Sequence, residues 1–229
     1  MKKIICLVIS SILIIGTCGC MKTEKNNGLV DDMVTYINNK YPNDEFYYAG
    51  PFGGGAGATY KTIIVSSKQF PNGQIYVRYS NENGEVFSDN YLAVLYAEQT
   101  ETLIKSTIET ALNSEVVLFY QPDAYACPND DSIISFNEYI KNEDSCIGFI
   151  AIANYDVLDK TVVSKKIEEA FADGGLCCFG TIYFDSDLNE VNSITNENLE
   201  GYIFEKSYNN RYDFKLDSKA NILESSWDN

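Results

Sequence analysis

The stretch Ile14-Ile15-Gly16-Thr17-Cys18-Gly19-Cys20 ends a short apolar run that starts at Ile4, just after Lys2 and Lys3. It constrains the chain most, because it decides which part folds and in which compartment. A basic start, an apolar core and small residues before a cysteine are the parts of a secretory signal. The run from Ile4 to Ile15 is too short for a membrane span, which takes about 20 apolar residues. Nor do positive charges follow it as a clear stop-transfer signal. The residues beyond Cys20 are therefore expected to fold, and to do so outside the cytoplasm.

Gly16-Thr17-Cys18-Gly19-Cys20 resembles the lipobox of bacterial lipoproteins. That resemblance covers the first twenty residues only. It implies cleavage by signal peptidase II and lipidation of the new N-terminal cysteine. Two cysteines compete for the site. Cys18 has the favoured Ile15 at minus three but Thr17 at minus one. Cys20 has the usual Gly19 at minus one but Thr17 and Cys18 further back. Cys20 is preferred, because the residue next to the cut is the stricter position, and Cys18 is the alternative. The lipid adds two acyl chains. One chain holds marginally and two hold stably, at ~0.8 kcal/mol per buried CH₂. The membrane is thus the first expected partner, reached through palmitate-like chains at the cell envelope.

Loss of Lys2 and Lys3 with the signal leaves 15 basic against 33 acidic residues, a net charge of −18. That excludes nucleic acid as a partner, since its binders carry basic patches that displace counterions. It also argues against a protein face laid on anionic headgroups. The 17 tyrosines are discounted as a sugar-binding signal. Tyr, Asn, Ile and Lys all have AT-rich codons, so genome composition accounts for much of their abundance. Histidine is absent. Ser-His-Asp and Cys-His nucleophile systems, imidazole bases and His-containing zinc sites are therefore excluded.

Along the chain, residues 1–19 read as signal peptide and 20–27 as the lipidated cysteine with a polar tether. Val30, Met33, Val34, Ile37 and Tyr41 then form one helical stripe, which Pro42 stops. Strands are expected at 46–49, 59–65 and 74–80, with a hairpin turn at Asn83-Gly84 and a return strand from Val86 extended through Tyr96. The Gly-rich run 50–58 lacks the Lys-Ser/Thr ending and following helix of a phosphate loop, and reads as a connection between strands that can act as a lid. A helix from Ala97 precedes Val116–Tyr120, whose continuous apolar run predicts a central strand.

Residues 121–132, with Pro122, Pro128 and three aspartates, mark the best boundary, giving parts 28–121 and 122–229. The second part is expected to hold a short helix at 136–140, a strand at 146–153, a helix at 160–172 ended by Gly174-Gly175, and a strand at 176–184. A hairpin of 202–206 with 211–216 would close it.

The fold class expected is α+β, mainly antiparallel sheet with helices on one face, as one large or two small subdomains. The element pattern resembles cystatin-like or ferredoxin-like folds, a likeness that implies no function. The string as a whole resembles small uncharacterised lipoproteins of low-GC Gram-positive bacteria, which implies no activity either.

Cys127 in the Pro-rich loop and Cys146 at a strand start are a possible disulfide in an oxidising compartment. Cys177 and Cys178 are expected to point to opposite faces of their strand and to be buried. Paired C-x₂₋₄-C spacing is missing, which excludes a four-cysteine zinc site. Asp185, Asp187 and Asn189 open like a calcium loop. Glu190 then stands where the loop needs Gly, and Asn196 where it needs Glu, so a solvated acidic turn is the better reading.

No catalytic residue, cofactor or metal is assigned. The expected function is a non-catalytic binding or interaction module, anchored extracytoplasmically, whose partner is a protein or a glycan. One alternative is a carboxylate-dependent hydrolase of cell-wall polymer or glycan, which needs two close carboxylates in a cleft. Another is an accessory subunit of an envelope assembly, which needs a wide apolar patch.

Overall fold

The structure, a computed structural model, describes residues 26–229 apart from 51–52, 55–57, 72–74, 83, 124–133, 158, 207–209, 220 and 229. The lipobox, Cys18, Cys20, Cys127 and most of the Gly-rich run lie outside those residues. Among the described residues no helix is long and apolar enough to cross a membrane.

The chain is α+β and builds two sheets. Helix α1 (Asn26–Lys40) packs on a four-stranded antiparallel sheet of β1 (Phe46–Tyr48), β2 (Tyr60–Ser67), β3 (Ile75–Ser80) and β4 (Val86–Asp89). Its stripe works as read, with Met33, Ile37 and Tyr41 buried against Phe46, Ile63, Val65, Ile75 and Val77. The helix begins at Asn26, so it takes in the last two residues expected in the tether.

Next come α2 (Tyr91–Leu95), α3 (Ala97–Leu112), β5 (Val116–Tyr120), α4 (Phe136–Tyr139), β6 (Ile147–Asn154), α5 (Lys160–Gly174) and β7 (Cys178–Asp185). Last are α6 (Leu188–Asn192), α7 (Leu199–Lys206), β8 (Arg211–Leu216) and β9 (Ile222–Trp227). Strands β5 to β9 form the second sheet in chain order. All its pairs are antiparallel except β6 with β7, which α5 joins as a parallel crossover. Asp159 caps α5 by accepting the N–H groups of Thr161 and Val162, and Gly175 ends it at φ +64°.

Three expectations need correction. Tyr91–Leu95 is a helical turn and not a strand, because the Asp89 carboxylate accepts the Tyr91 N–H at 3.0 Å and starts a new helix. Residues 202–206 belong to α7. There Leu199, Tyr202 and Ile203 share one face at helical spacing, and β8 pairs instead with β9. Strand β5 is an edge strand. Its apolar run reflects cover on both faces: Val116, Leu118 and Tyr120 face the main core, Val117 and Phe119 the opposite side.

The second sheet carries α3 and α5 on its inner face and α6 and α7 on part of its outer face. Helices thus cover more than the single face expected. The main cluster of buried side chains runs from Met33 and Ile37 through Ile104 and Ile108 to Phe149, Phe171 and Phe214, so both sheets share it. Strand β5 lies on the N-terminal side of the boundary expected at 121/122, yet pairs within the second sheet.

A buried polar cluster ties α1 to the end of β4. The Lys40 ammonium lies 3.0 Å from Asp89 Oδ2, with side-chain exposures of 5% and 0%. The hydroxyls of Tyr36 and Tyr41 donate to the same carboxylate at 3.0 Å each. The Lys40 ammonium also lies near the faces of both tyrosine rings, 5.6 and 5.3 Å from their centroids.

Candidate functional site

The outer face of the second sheet is uncovered at the end where β6 and β7 begin. The register sets what it presents. Gly148 lies opposite Phe179 and Phe149 opposite Gly180 on the two parallel strands. Neighbouring residues of a strand face opposite ways. Phe149 and Gly180 therefore face the core, while Gly148 and Phe179 face out. Each ring lies over the opposing glycine, where a Cβ would meet it inside van der Waals contact. Phe149 is buried, stacked on Phe171 at 5.7 Å and edge-on to Phe214 at 5.9 Å. Phe179 is 48% exposed.

A cleft of about 710 Å³ opens there, with Phe179, Gly148, Ile150, Phe119 and Leu199 as apolar lining. Thr181, Asn196, Gln121 and Asp123 add polar groups. Tyr76 and Val94 of the first half, and Cys146, complete its rim. A second recess of about 530 Å³ shares Phe179 and Thr181 and continues over Asp213, Lys215, Glu224 and Ser226. The two make one groove across the strands, with Phe179 in both.

The acidic group best placed in it is already engaged. The Thr181 hydroxyl donates to Asp213 Oδ1 at 2.6 Å, and Arg211 pairs with Asp213 Oδ2 at 2.7 Å and with Asp228 at 3.0 Å. The hydrogen bond that the Arg211 guanidinium donates to Asp213 raises its pKa above the usual value. Two carboxyls elsewhere, Glu138 and Asp217, are held below the usual range. Hydrogen bonds from Ser135 and Asn221 do this.

The calcium candidates are dispersed into capping roles. Asp187 caps α6 by accepting the N–H groups of Asn189 and Glu190. Asp185 accepts from the Asp187 N–H and, at 3.0 Å, from the Tyr202 hydroxyl. Burial, then that hydrogen bond, pushes the Tyr202 pKa up. Asn189 sits inside α6, using its backbone N–H on the cap. Among the described residues no three His, Cys, Asp or Glu side chains are grouped to hold a metal ion.

Cys177 and Cys178 are both buried, and burial pushes the Cys177 thiol up to about 11. Cys146 is exposed and free; its expected partner Cys127 lies outside the described residues.

No known protein family matches the chain, and no curated protein does. A solved structure is similar in part. It is a DUF5037 family protein from Ruminococcus gnavus ATCC 29149, at 2.55 Å resolution. Identity is 14%, over 86% of this chain and 94% of that one, with a TM-score of 0.40. A likeness at that level carries no argument about function.

Sequence reading missed Phe179, Thr181 and Asn196 as site residues. A signal existed in the mirrored dipeptides Gly148-Phe149 and Phe179-Gly180, which the parallel register sets side by side.

Proposed function

We propose that the chain is a lipid-anchored extracytoplasmic binding module, and that its groove holds a glycan of the cell envelope. The observation that supports the reading is the half-exposed Phe179 ring, whose far end lies over Gly148 in a cleft of about 710 Å³. Ligand sites pair an apolar floor with a few placed polar groups. An aromatic face suits the C–H face of a sugar. The hydroxyl of Thr181 and the amides of Gln121 and Asn196 suit its hydroxyls. A net charge of −18 beyond the signal favours a neutral or basic polymer over an anionic one. The hydrolase reading is weaker, because Asp213 is held in an ion pair with Arg211 and accepts from the Thr181 hydroxyl.

Retention of the purified chain on cell-wall polymer stripped of protein and teichoic acid tests the groove. Phe179→Ala should weaken retention by about tenfold, or ~1.4 kcal/mol. Val162→Ala, on the outward side of α5, should leave it unchanged. No retention of the unaltered chain would discard the glycan, and equal loss in both variants would discard the groove. A protein that replaced the polymer as ligand, with the same Phe179 dependence, would move the proposal to a protein partner.

Anchoring has its own test. Cys20→Ala should leave the chain unprocessed or released, while Cys18→Ala should not. Intact-mass measurement of membrane-extracted chain decides. A diacylated N-terminus at Cys18 would move the site, and a soluble product without lipid would remove the anchor.

A further inference from the structure

The parallel register also brings two thiols together. Ile147 lies opposite Cys178 and Gly148 opposite Phe179. Ile147↔Cys178 is the first pair of that ladder, and Cys146 and Cys177 are the residues that immediately precede it on the two chains. Adjacent strands lie about 4.8 Å apart. That falls within the Cα separation of about 4.4–6.8 Å that disulfides span.

The two side chains share the outer side of the sheet. Cys178 faces the core with Ile147, so Cys177 turns the other way, as Phe179 does. Cys146 lines the groove beside Gly148 and Phe179. Neither thiol is committed to a strong partner. The Cys146 thiol reaches the Glu143 carbonyl at 3.8 Å, and the Cys177 thiol the Leu216 carbonyl of β8 at 3.4 Å, so the Cys177 thiol must rotate from β8 toward β6 to pair. Thiols are weak donors and surrender such contacts readily.

The backbone supplies an independent observation. Cys146 sits at φ +46°, and among the described residues only Asn113 shares a positive φ without being glycine. Asn adopts that region with ease, whereas other side chains adopt it at a cost. Residues held in such conformations cluster at functional sites. The field of Cys146 is also felt at Cys177, and Lys215 acts on both thiols.

We infer that Cys146 and Cys177 are a disulfide-forming pair that staples together the residues leading into β6 and β7 at the end of the groove. The pairing goes beyond the proposed binding role and displaces Cys127 as the partner of Cys146. The oxidant is a small disulfide, such as oxidised glutathione. The exposed Cys146 loses its proton and attacks one sulfur of that disulfide, forming a mixed disulfide and releasing one thiol. Cys177 then loses its proton and displaces the second thiol. Two S–H bonds break, one S–S bond forms, and two electrons reduce the small disulfide to two thiols.

The test is peptide mapping of the full chain, purified reduced in detergent, then oxidised with excess oxidised glutathione at mildly alkaline pH and alkylated under denaturing conditions. The expected product is one reducible peptide pair joining Cys146 to Cys177, with Cys178 alkylated. Cys127→Ser should keep that link, and Cys146→Ser should abolish it and leave Cys177 alkylated. A Cys127–Cys146 link, a link through Cys178, or alkylation of both Cys146 and Cys177 would each overturn the pairing.

Discussion

Replacing Asp89 with alanine should cost about 3–5 kcal/mol of folding stability, the range for removing one partner of a buried ion pair. The carboxylate is fully buried and accepts from Lys40, Tyr36, Tyr41 and the backbone of Tyr91. Its loss takes the counter-charge from a buried ammonium that keeps only neutral neighbours such as the Tyr36 hydroxyl, and removes the acceptor of the Tyr91 N–H at the start of α2. Lys40→Met should cost less, near the lower end. Asp89 then still accepts from both hydroxyls and from the Tyr91 N–H. The double variant Lys40→Met with Asp89→Leu should recover part of the sum, because apolar replacement removes both desolvation penalties together. Urea-unfolding midpoints for the three variants, set out as a double-mutant cycle, measure this. A cost below about 1 kcal/mol for Asp89→Ala would mean the pair behaves like an exposed one.

Nothing in the sequence marks that pair. Lys40 closes an amphipathic helix and reads as an ordinary basic residue in the last turn. Asp89 sits in a run read as continuous strand. Their partnership spans 49 positions and exists only once α1 lies on β4. Local signals fared better where one residue decides the backbone. The stripe of α1, the stop of α5 at Gly175 and strands β1 to β8 were readable because period and φ preference act over a few residues, whereas β9 went unread. Tyr91–Leu95 and residues 202–206 failed for the same reason reversed. Short apolar runs fit either period, and tertiary contacts chose helix in each. The groove was hidden more deeply, because no strand contains it. It arises where β6 and β7 run parallel and bring Gly148 under Phe179.

That register predicts a sharp asymmetry between two phenylalanines that sit alike on opposite faces of one strand pair. Phe149→Ala should cost about 3–5 kcal/mol, the range for emptying a buried aromatic site. It removes a ring that fills the space over Gly180 and contacts Phe171 and Phe214. Phe179→Ala should change stability by no more than about 0.5 kcal/mol, as surface replacements away from special features do. Its ring is half in solvent and leaves no enclosed cavity. The opposing glycines extend the contrast. Gly180→Ala drives a methyl into the packed Phe149 ring and should cost about 1–3 kcal/mol as overpacking. Gly148→Ala meets only the free end of Phe179, which can swing into solvent, so stability should hold while the seat of the ring over residue 148 is lost. Urea unfolding of the four variants tests the stability half, and retention on stripped cell-wall polymer tests the other. If Phe179→Ala and Gly148→Ala keep full stability and both lose retention, the outward ring serves a ligand. If Phe179→Ala is as destabilising as Phe149→Ala, the outward ring is part of the packing that holds β6 to β7, and the groove loses its principal support as a binding surface.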